Sequence, residues 1–268
     1  MIRQDQQIVL LAGLPRTGST LLQNILAQNP AFHLEGNSGL CQVMWDAKIS
    51  CEHHAAQQLT GVGKDVSFKE DLLRGIPKTY YENANGRVVF DKCRRWVNKE
   101  NIAVARQYID KKIKSIVMVR PLEEIAASFK RVSDTNNLGV SLEDLLSPRG
   151  DLAADFGATM YAFQSKDPSY LFVSYDDLVG KTESVLRRIY SHIEQPLFAH
   201  DTHKVKQVVF EDDERNNMAG MHDIRPQVAK KSNEVVLPDW ALAICQDMTS
   251  AMLSEIDKVS LWKARQVA

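Results

Sequence analysis

No stretch of this chain approaches the roughly 20 consecutive apolar residues that a membrane helix needs, so no membrane span is expected. The amino terminus is polar through Gln7. The apolar run behind it leads into a glycine loop rather than a cleavage site, which argues against a secretory signal. An excess of either charge is lacking too. With 33 Lys+Arg against 34 Asp+Glu the net charge is −1, so bulk electrostatics draw the chain to neither nucleic acid nor an anionic membrane. Any bound anion must be met by local cations. Cysteine is sparse: Cys41, Cys51, Cys93 and Cys245 form no Cys-x-x-Cys pair. That fits free thiols in a reducing cytoplasm, with Cys41 to Cys51 as the one bridge considered. His53 and His54 adjoin Cys51 without metal-ligand spacing, so no metal is expected. Repeats and low-complexity tracts are absent, and 268 residues with 44% hydrophobic content suit one α/β domain over residues 1–268.

What is present is concentrated near the start. Ile8 to Ala12 is an apolar run long enough for a buried strand and too short for a helix. Gly13 to Gly18 supply a turn, and from Ser19 the residues Leu21, Leu22, Ile25 and Leu26 recur at helical spacing until Pro30. A strand, a loop bracketed by glycines and a helix together make a phosphate cradle, with backbone N–H groups and the positive helix end facing the anion. The spacing Gly13-x4-Gly18-Ser19-Thr20 is the P-loop pattern with Ser19 where a triphosphate hydrolase has lysine. Losing that lysine argues against triphosphate hydrolysis. Arg16, inside the loop, is the substitute cation, and its planar guanidinium suits a tetrahedral oxyanion.

Further unbroken apolar runs occur at Arg87–Lys92, Lys114–Arg120 and Tyr170–Ser174, as in strands covered on both faces. Phe32 to Gly39 reads as a short extended piece ending in a loop. Helices are expected over 40–60, around Leu72 to Ile76 with a stop at Pro77, over 99–110, from Pro121 with the stripe Leu122, Ile125, Ala126, Phe129 and Val132, over 151–165, from Thr182 to Glu194, and from about Pro238 to Trp262. Residues 133–150 read as irregular with a short helix. Val205 to Arg215 is ambiguous, and Gly220 to Lys231 is basic and turn-like. Strands alternating with helices place the chain in the α/β class with a parallel sheet.

Leu14-Pro15-Arg16-Thr17-Gly18-Ser19-Thr20-Leu21-Leu22 resembles the 5′-phosphosulfate-binding loop of sulfotransferases, and its Pro-Arg form is similar to the tyrosylprotein and bacterial branches. The resemblance implies a three-layer P-loop NTPase-like fold with a central parallel sheet flanked by helices. It also implies transfer of a sulfuryl group from 3′-phosphoadenosine 5′-phosphosulfate (PAPS), leaving PAP, without a metal. Arg16, Thr17, Gly18, Ser19 and Thr20 would then hold the 5′ end. Arg120 closing a strand, with Ser128 eight residues on and Arg131 after it, resembles the 3′-phosphate motif, although the family's Arg-Asp-Pro-Arg is here Arg120-Pro121-Leu122-Glu123. Asp91-Lys92 resembles the Asp-Lys or Asn-Lys placed beside the transferring group, which makes Lys92 a catalytic candidate. Tyr175-Asp176-Asp177-Leu178 resembles the family's Tyr-Glu-Asp-Leu, and His222 to Pro226 with Lys230, Lys231 and Ser232 resembles its late loop over the donor, with Lys230 as a phosphate ligand.

In-line transfer also needs a general base. Glu35 is favoured, near where the tyrosylprotein branch carries its glutamate, although an ungapped count puts Asn37 at that position. His33 and the pair His53-His54 are the alternatives. The acceptor, a hydroxyl or amine on a small molecule or biopolymer, has no readable motif. Two other readings stay open: a nucleotide-binding regulatory protein that kept the cradle without the chemistry, and a divergent P-loop kinase.

Overall fold

The computed structural model describes residues 6–139, 141–211, 213–215, 217–229 and 235–267, the side chains of 257–267 excepted. The chain runs through β1 (Gln7–Gly13), α1 (Ser19–Leu26), β2 (Phe32–Asn37), α2 (Leu40–Ile49), a π-helical turn at Ser50–His54, α3 (Ala56–Gly61) and α4 (Ser67–Tyr80). It continues with β3 (Val88–Lys92), a 3-10 turn at Arg94–Val97, α5 (Lys99–Tyr108), β4 (Lys114–Val119), α6 (Leu122–Asn136), α7 (Leu142–Leu145) and α8 (Asp151–Ser165). It closes with β5 (Tyr170–Ser174), α9 (Tyr175–Gly180), α10 (Thr182–His192) and α11 (Asp239–Val267). The strands form one five-stranded sheet in the order β2-β3-β1-β4-β5, every pair parallel.

Strand alternation explains why the apolar runs are unbroken. Ile8, Leu10, Ala12, Val89, Val117 and Val119 face one layer, where α5, α6 and α8 bury Ile102, Leu122, Ile125, Leu152 and Phe163. Val9, Leu11, Val88, Phe90, Ile116 and Met118 face the other, against Leu22, Ile25 and Leu26 of α1 and Val185 and Ile189 of α10. Helices on both faces of a parallel sheet give the three-layer arrangement. Because β1 lies between β3 and β4, the chain departs from it to either side. The crevice for a ligand therefore opens at its carboxyl end.

Two expectations are corrected. Phe32 to Asn37, expected only as a short extended piece, is a fifth strand; as an edge strand it needs one apolar face, so Phe32 and Leu34 alternate with His33, Glu35 and Asn37 and form no unbroken apolar run. Helix α4 runs past Pro77, the expected stop, to Tyr80. Pro77 falls in its last turn, where the missing N–H forfeits one bond to Leu73 while both side chains stay buried. The expected free thiols are found: all four cysteines are free, and Cys41 shares an S–H hydrogen bond with Cys93. Among the described residues no helix is long and apolar enough to cross a membrane.

Candidate active site

The loop after β1 takes its shape from two glycines. Gly13 has φ +114°, and a Cβ there would lie 2.2 Å from the Met118 carbonyl oxygen, so only glycine lets β1 pass this close to β4. Gly18, at φ +82°, precedes the first turn of α1, and a Cβ on it would stand 2.7 Å from the Tyr175 ring. Between them Arg16 is itself left-handed, at φ +58°. An arginine held in that region is strained, a cost of order 1–3 kcal/mol that the surrounding contacts must offset. Thr17 is fully buried and donates from Oγ1 to the Leu14 carbonyl at 2.9 Å, pinning the turn from inside. Helix α1 has no acidic residue in its first turn and no side-chain cap, so its leading N–H groups are left for an anion.

Around this turn Arg16, Arg120 and Ser128 come together. Arg16 Nε donates to Ser128 Oγ at 3.1 Å across 112 residues of sequence, and its Nη1 donates to the Met221 carbonyl. Arg120 donates to the Arg16 carbonyl at 3.0 Å, pairs with Glu124 at 2.8 Å, and lies 4.1 Å over the Tyr175 ring. Arg120 and Ser128 are 7% and 2% exposed. One cavity is lined by Arg16, Gly18, Ser19, Thr20, Arg120, Ser128, Arg131 and Tyr175. Burial, then Arg131 and Arg120, hold the Arg16 pKa down to about 10. It is still cationic at neutral pH, yet the crowding of like charges marks a place where an anion would be welcomed.

Lys92 ends β3 on the α1 side of the sheet. Its ammonium donates to Thr20 Oγ1 at 3.2 Å and pairs with Glu211, the two side chains only 6% and 7% exposed. Burial lowers its pKa, with the Glu211 carboxylate opposing. Lys92 borders a second cavity with Leu14, Pro15, Arg16, Phe129, Met218 and His222. Asp91, by strand alternation, points the opposite way, into the layer of α2 and α4.

Not every expected residue arrives. Glu35 lies on the edge strand with its side chain 56% exposed, accepts from or shares a proton with His33 at 2.8 Å, and lines neither cavity. His53 and His54 are exposed on the π-helical turn. Lys230, with Lys231 and Ser232, lies outside the described residues. The stretch His222 to Pro226, expected as a loop over the donor, lines the cavity over the cradle through His222, Asp223, Ile224 and Arg225. What the sequence did not disclose is the approach of Glu211, Asp213 and Met221, which lie in irregular chain whose spacing does not announce it.

A glycine-bracketed anion loop at the switch point of a parallel three-layer sheet defines a phosphate-binding α/β protein of P-loop type. The model of the sulfotransferase family matches residues 9–200, well over half of the 268, and the chain belongs to that family. It is thus an enzyme, and its reaction is sulfuryl transfer. Among solved structures it is similar to the sulfotransferase domain of the Synechococcus PCC 7002 olefin synthase, at 17% identity over 94% of this chain and 96% of that one, TM-score 0.50. It is also similar to sulfotransferase STF9 from Mycobacterium avium, at 14% identity over 94% and 77%, TM-score 0.50. A third is mouse sulfotransferase SULT7A1 complexed with PAP, at 18% identity over 87% and 71%, TM-score 0.45. No curated protein matches the sequence. The first two structures, at identities this low, carry the fold across and leave the acceptor open.

Proposed function

We propose that the chain moves a sulfuryl group from PAPS to a hydroxyl or amine acceptor, a small molecule or part of a biopolymer. In this reading Thr17 to Thr20 and Arg16 hold the 5′-phosphosulfate. Arg120 and Ser128 hold the 3′-phosphate, joined by Arg131, and Lys92 stands beside the transferring group. Lys230 belongs to the same donor grip as the sequence reads it. The observation that carries the proposal is the Arg16–Ser128 hydrogen bond, which unites two anion-binding pieces 112 residues apart in one cavity. A donor with phosphates at both ends of one nucleoside needs two such pieces; a triphosphate needs one, with a lysine this loop lacks. The four free thiols support a cytoplasmic setting. The bond from Leu122 N–H to Thr249 Oγ1, at 2.8 Å, ties α11 back to α6 and supports one domain over residues 1–268.

Thermal melting tests the donor. PAP at a hundredfold excess over its Kd should add roughly 2.7 kcal/mol, a rise in Tm of roughly 5–10 °C for a chain of this size. A larger rise with ATP and Mg²⁺ would favour the kinase reading instead. Ser128→Ala removes a buried hydroxyl that bonds Arg16 and faces the cavity, so PAP affinity should fall about tenfold, the worth of one good hydrogen bond, with kcat largely kept. Titration calorimetry measures it, and an unchanged Kd would take Ser128 out of the donor site.

A further inference from the structure

The proton is the part of this reaction still without an acceptor. Glu35 faces solvent on the edge strand and reaches neither cavity. Glu211 does border the second cavity, but one of its oxygens is paired with Lys92 and the other accepts from the Asn37 N–H at 3.2 Å. A carboxylate so held is a counter-ion rather than a base.

His222 is placed differently. It lines both the cavity over the cradle and the neighbouring one bounded by Lys92 and Phe129, so it stands at their junction. Its Nδ1 lies 2.5 Å from Asp213 Oδ1, and its backbone N–H donates to Asp213 Oδ2 at 2.7 Å. Both oxygens of one carboxylate are committed to one histidine, which fixes the ring in place and in rotation. A carboxylate only accepts, so this bond puts a proton on Nδ1, and in the neutral ring the lone pair is then on Nε2. Among the described residues Nε2 has no hydrogen-bond partner. The two side chains are 19% and 14% exposed, screened from bulk water without being sealed off. The preceding residue, Met221, anchors the dyad to the cradle through its carbonyl on Arg16.

We infer that His222, oriented by Asp213, is the general base of the transfer and takes the proton of an acceptor entering between Lys92 and Phe129. The inference rests on the donor site proposed above. In the step, the acceptor oxygen's lone pair forms the new bond to sulfur as its proton passes to Nε2. The bond from sulfur to the 5′-phosphate oxygen breaks, and its electron pair stays on that oxygen, which the loop N–H groups and Arg16 face. His222 then gives its proton to water. Asp213 touches only the histidine and acts by positioning it.

The test uses the full chain with His222→Ala, His222→Gln and Asp213→Asn. Radiolabelled PAPS is followed in single turnover, with water as the acceptor always present and phenol or p-nitrophenol added. PAP binding is titrated in parallel as a control on folding and on the donor site. Both histidine variants should bind PAP like the wild type and lose roughly 10²- to 10⁴-fold in rate, and added imidazole should restore part of it in His222→Ala. Any loss with p-nitrophenol should be smaller, since that acceptor sheds its proton unaided. Asp213→Asn should lower kcat with the donor KM unchanged, because an amide N–H turned toward Nδ1 puts the proton on Nε2. Rates kept in His222→Ala, or lost in Glu35→Gln instead, would overturn the assignment. So would a wild type that binds PAP and consumes PAPS no faster than buffer does. A wild type that fails to bind PAP would sink the donor reading, a result separate from these.

Discussion

Arg16→Ala is expected to lower kcat by about 10²- to 10³-fold at saturating donor, the cost of one preorganised charge-stabilising donor. The substitution acts on a group whose position is over-determined. The residue sits at φ +58°, its carbonyl is held by Arg120 at 3.0 Å, and its guanidinium spans from Ser128 to the Met221 carbonyl. Those bonds aim a planar, delocalised cation across the mouth of the loop. An ordinary P-loop instead sends a flexible ammonium from the first turn of the helix. In-line sulfuryl transfer puts new charge on the departing phosphate oxygen, and a fork already in place meets it without reorganisation. Burial, then crowding by Arg131 and Arg120, lowers the Arg16 pKa to about 10, and the crowding is offset once an anion enters. Arg16→Lys keeps the charge but loses the fork, so it should fall between alanine and the wild type. Single-turnover transfer at saturating PAPS is the measurement, with the melting temperature as a control. Full kcat in Arg16→Ala would leave the chemistry to the loop amides and Lys92.

The cradle was legible because every local signal agreed there. The apolar run, the glycine spacing, the helical recurrence of Leu22, Ile25 and Leu26, and the arginine all pointed one way. Strands β1, β3, β4 and β5 were legible for a simpler reason, since burial on both faces writes itself as an unbroken apolar run. Strand β2 was not. Its outward residues include His33, Glu35 and Asn37, and an edge position does not demand that they be apolar. That same exposure undoes the reading of Glu35, which a count along a resembling sequence brought close to a base without showing which way its side chain would point. The segment from Val205 to Met221 was illegible, and only His222 to Pro226 behind it was read, as a loop over the donor. It is positioned by long-range bonds such as Asn24 Oδ1 accepting from Val208 and Val209 at 2.6 and 2.8 Å, and these leave no period in the sequence. Asp213 and His222, nine residues apart in irregular chain, meet only because the sheet beneath them is already built.

Asp91→Ala is expected to be the costliest change to stability, at roughly 3–5 kcal/mol, the usual loss when one member of a buried, hydrogen-bonded charged group is removed. Asp91 is fully buried, and three donors converge on its carboxylate: Trp96 Nε1 at 2.5 Å, Tyr81 Oη at 2.6 Å and Ser38 Oγ at 2.7 Å. They come from the 3-10 turn after β3, the end of α4 and the turn between β2 and α2. One carboxylate thus joins three connections from separate parts of the chain. Burial pushes its pKa up while all three donors oppose that shift. Burial, with Asp91 adding to it, likewise pushes the Tyr81 hydroxyl up. Alanine would leave Trp96 and Tyr81, at 1% and 2% exposure, with donors that neither water nor protein can easily meet. At 2–4 °C per kcal/mol for a chain of this size, Tm should fall by roughly 10 °C. Asp91→Asn keeps one acceptor oxygen and should lose about half as much. Lys92, the next residue, rides on the same strand end with its side chain on the other face, so loosening β3 there should also weaken its hold beside Thr20. Urea unfolding of the two variants against wild type decides the matter. If Asp91→Ala unfolds at the wild-type midpoint, the three donors have found other partners, and the aspartate beside Lys92 is not what holds that corner of the sheet together.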